Sequence, residues 1–182
     1  DLVSNAGIKW LALGIEAGSQ MVRQEVSKGS FKEVNIRNIT SMINDHNINI
    51  IANYIVGFPE DDYSTMTSTL NLALELNAEM MNVYPCQALP GSPLYLKAQD
   101  ECWDIPKEYE EFAFLSYECK PLPTKNLSSA EVLRFRDYFW QTYFENPAYL
   151  DKVESSFGIA QRENVEEMAK HKLKRKILEF NS

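Results

Sequence analysis

Three apolar runs alternate with amphipathic stretches in the first 90 residues of the chain. The runs are IKWLALGIE, INIIANYIVGF and MMNVYP, at residues 8–16, 48–58 and 80–85. The first two runs, of which the second is rich in β-branched residues, predict strands that are buried on both faces, and the third predicts a further strand. Helical spacing of apolar positions predicts helices over 19–28, 31–47 and 62–76. This alternation predicts an α/β protein with parallel strands joined by right-handed crossovers, in a (β/α) barrel or an open sheet.

The chain beyond residue 88 has a different pattern, which divides the protein into three predicted parts. Residues 89–95 contain a Pro/Gly turn that opens a short helix. The stretch after that helix is irregular, aromatic and rich in proline, with a weak strand signal in FAFLSYE. The three parts are an α/β part over residues 1–98, a connector over 99–126 and a helical appendage over 127–182.

Helical signals dominate the last third of the chain. Ser128 and Glu131 form a capping box that predicts the start of a helix, whose aromatic stripe we expect to face the core. Pro147 begins a second predicted helix. A third is predicted from Gln161 to Phe180, with the basic run KHKLKRK on its solvated face.

Composition narrows the classes of protein that fit the chain. The 182 residues carry a formal net charge of −8, which disfavours a nucleic-acid or membrane-surface binder. No apolar run reaches the roughly 18 residues that a transmembrane helix needs. The three cysteines, at positions 86, 102 and 119, predict a reducing, cytoplasmic setting and no disulfide framework. The first residues, DLVSNAG, look like the tail of a helix and predict a chain cut from a longer protein, with a processed natural N-terminus as the alternative.

The end of the first predicted strand carries candidate chemistry. Parallel strands bring their C-terminal ends to one rim, where ligands bind. There Glu16 offers a carboxylate, and Gly14 and the helix start near Ser19 let a ligand approach backbone N–H groups. A plain strand-to-helix turn with Ser19 as its helix cap explains the same residues.

The end of the second predicted strand, NYIVGFPEDD, is the other candidate. Asn53 and Ile55 share one face of the strand, and Gly57 lacks a side chain where a flat ring could lie. The alternative is again an ordinary turn, in which Asp61 or Asp62 caps the next helix. The occurrence of two such motifs about 40 residues apart, on neighbouring parallel strands, favours a ligand site.

The strings GIEAGSQ…KG, NYIVGFPED and YPCQALPGSPLY together resemble the second half of the radical S-adenosylmethionine enzymes. Similar strings, GIESGS, GFPGE and PGTPLY, occur in methylthiotransferase-like enzymes and in the cobalamin-binding group called magnesium-protoporphyrin ester cyclase-like. The resemblance covers residues 1 to about 98. It implies a partial (β/α) barrel in which the three strands are the fourth to the sixth.

The resemblance also implies roles for individual residues in binding S-adenosylmethionine. Glu16 lies where family members contact the ribose or methionine part, and Lys28 lies where some contact the methionine carboxylate. Asn53 matches a ribose-contacting position on the fifth strand. The positions implied to border the adenine are Ile55, Gly57, Glu60, Pro85 and Cys86.

The chain departs from the family in lacking CxxxCxxC, the loop that holds the [4Fe–4S] cluster. The resemblance therefore implies a fragment of a radical S-adenosylmethionine oxidoreductase acting on a small molecule. Such a fragment would be inactive alone, with the cluster loop, and any cobalamin-binding domain, before Asp1. Two alternatives stay open: a phosphate-binding (β/α) barrel enzyme, or a non-catalytic interaction module built on the helical tail. The unpaired edge of the first strand also predicts self-association of the fragment.

Overall fold

The computed structural model describes residues 1–19, 22 and 35–179. Its strands are β1 (Trp10–Glu16), β2 (Asn49–Val56) and β3 (Met80–Pro85). Its helices are α1 (Leu2–Asn5), α2 (Ile36–Asp45), α3 (Tyr63–Leu76), α4 (Pro93–Asp100), α5 (Ser129–Phe144), α6 (Pro147–Phe157), α7 (Ile159–Ala169) and α8 (Lys176–Glu179), with a 3-10 helix over Tyr109–Phe112. The helix predicted over 19–28 lies outside the described residues apart from Ser19 and Val22, as does the start of the helix predicted over 31–47.

The three strands form one parallel sheet, as the sequence predicts, and they lie in the order β1-β2-β3. In this register Gly14 of β1 lies opposite Asn53 of β2, and Asn53 lies opposite Asn82 of β3. The α/β architecture with a three-stranded parallel sheet is therefore confirmed. Closure of the sheet into a barrel stays a prediction, and so do the boundaries of the three parts.

Within residues 1–19, 22 and 35–179, one face of the sheet is buried and the other is exposed or half-exposed, so the prediction of strands buried on both faces is wrong. The buried face packs against α2, α3 and α5 and is formed by Ile50, Ala52, Tyr54, Val56, Met81 and Val83. The opposite face, which we call the open face, is exposed or half-exposed at Ala12, Gly14, Ile51, Asn53, Met80 and Asn82. Apolar runs in the sequence reflect apolar side chains on both faces, but they do not show whether a second layer is present.

Helix α5 packs across the sheet as a direct continuation of its core. Its predicted aromatic stripe is buried, and the ring of Phe139 lies 5.7 Å from that of Tyr54 on β2. The buried Arg136 donates from Nε to the carbonyl oxygen of Val83 at 2.9 Å. Both the capping box at Ser128 and the helix start at Pro147 are confirmed.

The C-terminal region corrects two predictions. The last predicted helix ends at Ala169 and not at Phe180, because the chain turns so that Arg175 enters the core with 2% of its surface exposed. Its guanidinium donates twice to Asp137 and once each to the carbonyls of Phe114 and Ser116, all at 2.9 Å. The basic run is therefore not wholly solvated. FAFLSYE is a series of turns and not a strand, and two of its carbonyls accept from this buried cation.

Removing the Asp137 carboxylate should destabilise the fold strongly. Asp137→Ala leaves Arg175 buried without its anionic partner, and we expect the free energy of unfolding to fall by about 3 kcal/mol. Urea denaturation measures the change. Asp151→Ala is the matched control, because that carboxylate is 71% exposed where it pairs with Arg162, and its loss should matter little. Equal losses in the two variants would contradict the role of the buried pair.

Candidate functional site

The Glu16 carboxylate lies over the open face at the end of β1. Its Oε1 atom lies 2.7 Å from the point where a Cβ on Gly14 would be, so the carboxylate fills the space above this glycine. The sheet register shifts between Gly14 and Glu16, and Glu16 has a φ of 64°, which is unusual for a residue with a side chain. Partial burial raises the pKa of the Glu16 carboxyl above its usual value. Backbone strain and a perturbed carboxyl on one residue are typical of a functional position.

Two asparagines continue this polar row across the open face. Asn53 on β2 lies opposite Gly14, and Asn82 on β3 donates from Nδ2 to the Asn53 Oδ1 at 3.0 Å. Neighbouring strands are roughly 4.8 Å apart, so Glu16, Asn53 and Asn82 form a row about 10 Å long. All three side chains are half-buried. The row gathers several hydrogen-bond acceptors in a partly shielded place.

The turn GFPEDD is built by its own acids. Asp61 is buried, and its Oδ2 accepts from the backbone N–H groups of Gly57 and Phe58, both at 2.9 Å. Asp62 caps α3 by accepting from the Thr65 N–H at 2.8 Å. Asp61 and Asp62 therefore both have structural roles. Of the two residues predicted as the helix cap, Asp62 is the one that caps α3.

The structure shows why position 57 requires a glycine, and this reason was not found from the sequence. Its φ is +85°, and a Cβ placed on it would overlap the side chain of Val132 on α5. The space that the missing side chain leaves is therefore filled by a helix, and the interpretation that it makes room for a flat ring is corrected. Whether the backbone of Gly57 contacts a cofactor stays a prediction.

Ile55, Pro85 and Cys86 also lie at the strand ends, but their side chains are buried or half-buried within the protein. Ile55 is half-buried and packs with Cys86 in a second small core. Pro85 ends β3 opposite Val56, whose carbonyl accepts from the Cys86 N–H at 2.8 Å. Burial, with a smaller contribution from the charge of Asp61, raises the pKa of the Cys86 thiol to about 12, so it is protonated at neutral pH.

Two of the remaining predicted residues make local contacts of their own, and the third lies outside the described residues. Ser19 accepts weakly from the Val22 N–H at 3.5 Å, as a helix cap does. Glu60 pairs with Lys125 at 2.5 Å in the connector. Lys28 lies outside the described residues. The structure thus brings Gly14, Glu16 and Asn53 together and leaves Ser19 and Glu60 in separate local contacts.

Sequence reasoning missed Asn82. The signal that could have found it is a lone polar residue in the apolar run MMNVYP, which a parallel register can place beside Asn53. Over residues 1–19, 22 and 35–179, no three His, Cys, Asp or Glu side chains lie close enough together to hold a metal ion. Over the same residues, no helix combines the length and apolar character that crossing a membrane requires.

Comparison with known proteins gives two distant enzyme relatives, and no family model matches the chain. The chain is 28% identical over 149 residues to the anaerobic magnesium-protoporphyrin IX monomethyl ester cyclase of Rubrivivax gelatinosus, covering 82% of this chain and 26% of that protein. It is 22% identical over 131 residues to the bacteriochlorophyllide d C-12(1)-methyltransferase of Chlorobaculum tepidum, covering 70% and 28%. The chain thus spans about a quarter of the length of the curated relatives it matches. Both relatives are enzymes, and the first bears the name of one group that the sequence resembles.

Gly57→Ala should destabilise the protein more than an ordinary glycine substitution in a turn. We expect a loss of roughly 1–3 kcal/mol, because positive φ strains an alanine and its Cβ overlaps Val132. Gly57→Ala should cost less when it is made in a Val132→Ala background, because the side chain that it overlaps is then shorter. Gly91→Ala is the matched control, because its φ of +86° is nearly equal and its surroundings are empty. A urea titration in which Gly57→Ala costs no more than Gly91→Ala would contradict the packing argument.

Glu16→Gln should stabilise the protein increasingly as pH rises. Because the folded state raises the pKa of Glu16, its favourable contribution is present below the unfolded pKa and is lost as pH rises through the folded value. Wild type and variant should therefore be similar near pH 3 and diverge above about pH 4. Hydrogen bonds from Ser128 lower the pKa of Glu131, so Glu131→Gln should change in the opposite direction. Unfolding titrations across pH measure both, and a pH-independent Glu16→Gln difference would refute the expectation.

Proposed function

We propose that this chain forms one side of the S-adenosylmethionine site of a radical S-adenosylmethionine enzyme. The observation that carries the proposal is the polar row of Glu16, Asn53 and Asn82 on the open face of a parallel sheet. The distant similarity to an ester cyclase and a methyltransferase supports it. The residues of this chain would bind and orient the cofactor, while the rest of the active site would lie elsewhere in the whole protein.

The residues on the open face fit this cofactor in their chemistry. Ribose hydroxyls and the methionine ammonium group are hydrogen-bond donors, and the row offers carboxylate and amide oxygens that accept. The Glu16 carboxylate occupies the space above Gly14, so on the first strand a ligand would meet this carboxylate and not the bare backbone of the glycine. When it is bound beside an iron–sulfur cluster, S-adenosylmethionine supplies radical chemistry by reductive cleavage. The work of Glu16 and the asparagines would be to hold the cofactor.

The proposal places the remaining components outside this chain. The [4Fe–4S] cluster would be held by a CxxxCxxC loop elsewhere in the whole protein, which would act on a small molecule in the cytoplasm. A cobalamin-binding domain would likewise belong to another part. The edge of β1 that has no partner among the described strands would pair with a further strand of the whole protein, and in the isolated chain that edge is expected to promote self-association.

The Glu16 carboxylate disfavours the alternative of a phosphate-binding barrel. It occupies the space above Gly14, where its negative charge would repel a phosphate when the group is ionised. The described contacts of the helical tail are with the sheet and its core, which gives no support to an independent interaction module.

The test requires the full-length protein that contains this chain, reconstituted anaerobically with iron and sulfide. We expect it to bind S-adenosylmethionine in a calorimetric titration and to release 5′-deoxyadenosine when dithionite is added. Glu16→Ala should weaken binding about tenfold, the upper range for one lost hydrogen bond. Glu163→Ala, on the exposed surface of α7, is the matched control and should bind normally. Absence of both binding and cleavage in the reconstituted wild type would refute the proposal.

A further inference from the structure

The two asparagines of the polar row are not equivalent, because the sheet fixes the orientation of one of them. The Asn53 Nδ2 lies 3.3 Å from the Leu13 carbonyl oxygen and 3.4 Å from that of Ile51. A carbonyl oxygen only accepts hydrogen bonds, so the donor end of the Asn53 amide must face the backbone of the sheet. The Oδ1 of Asn53 then faces β3 and accepts from the Asn82 Nδ2 at 3.0 Å.

This arrangement determines which oxygen remains for a ligand. Since Asn53 presents an acceptor to Asn82, the Asn82 amide must turn its nitrogen toward Asn53. The Oδ1 of Asn82 is left, and no donor reaches it within the part of the chain that the structure describes. Asn82 is half-exposed on the open face, and its oxygen is therefore available to a group that approaches the sheet.

We propose that Asn82 is the ligand-contacting residue of the row and that Asn53 is a positioning residue. Asn82 would accept a hydrogen bond from a hydroxyl or amino group of S-adenosylmethionine, and Asn53 would hold the Asn82 amide in the orientation that makes this possible. This inference rests on the proposed function. It reassigns to β3 a contact that the family resemblance implies for β2.

The test is a double-mutant cycle in the reconstituted full-length protein, with the dissociation constant of S-adenosylmethionine measured by calorimetry. Asn82→Ala should weaken binding about tenfold. Asn53→Ala should weaken it less, about threefold, because Asn82 keeps its oxygen and loses only its fixed orientation. The double variant should bind like Asn82→Ala alone, because Asn53 acts through Asn82.

Two further variants separate these effects from loss of folding. Asn71→Ala removes an exposed asparagine on α3 and should leave both affinity and thermal unfolding unchanged. Asn82→Val removes the amide with a β-branched side chain that suits a strand, so it should remain folded and show the same loss of affinity as Asn82→Ala. The melting temperature of each variant is measured beside its affinity.

Each contrary result of these binding measurements would overturn a different claim. A wild-type protein that binds no S-adenosylmethionine would overturn both the proposed function and this inference. Normal binding by folded Asn82→Val, with binding by the wild type intact, would overturn the inference alone. If Asn53→Ala weakens binding by the same factor with and without Asn82, Asn53 contacts the ligand directly and the division of roles is wrong.

Discussion

In the part of the chain that the structure describes, a parallel sheet is buried on one face and open on the other, and the rest of the structure depends on this constraint. Helices α2, α3 and α5 cover the face that carries Tyr54 and Val56, while the opposite face keeps its side chains partly exposed. Parallel sheets are ordinarily covered on both faces. The centre of the open face is a polar row and not a continuous apolar surface, so a ligand with hydrogen-bond donors suits it better than a purely hydrophobic layer.

Helix α5 packs on the buried face and also contacts the rim of the sheet, where the strands end. Val132 fills the space beside Gly57, and Arg136 binds the Val83 carbonyl. Arg175 then joins the C-terminal segment to α5 through Asp137. The position of the turn after β2 therefore depends on a helix more than 70 residues later in the chain. Asp61 and Asp62 stabilise that turn and the start of α3. The candidate binding residues are therefore those of the open face.

The backbone conformation of Glu16 is energetically unfavourable for the fold. Positive φ occurs at Gly57 without cost to a side chain, but at Glu16 it strains a residue whose carboxyl is also partly removed from water. A residue with less strain and no charge would fold more easily at this position. The presence of a carboxylate there, beside two hydrogen-bonded asparagines, is the feature that folding alone does not explain.

The sequence by itself determined the order and direction of the strands, the course of α3 and α5, and the caps at Asp62 and Ser128. These features follow from periodicity and from contacts within a few residues, which a sequence displays directly. It also pointed to Glu16 and Asn53. Only the tertiary structure decided that one sheet face is open, that Arg175 is buried, that Gly57 faces Val132 and that Asn82 joins the row. Each of these depends on contacts between residues about 30 to 75 positions apart, and local patterns do not specify which distant side chains will meet.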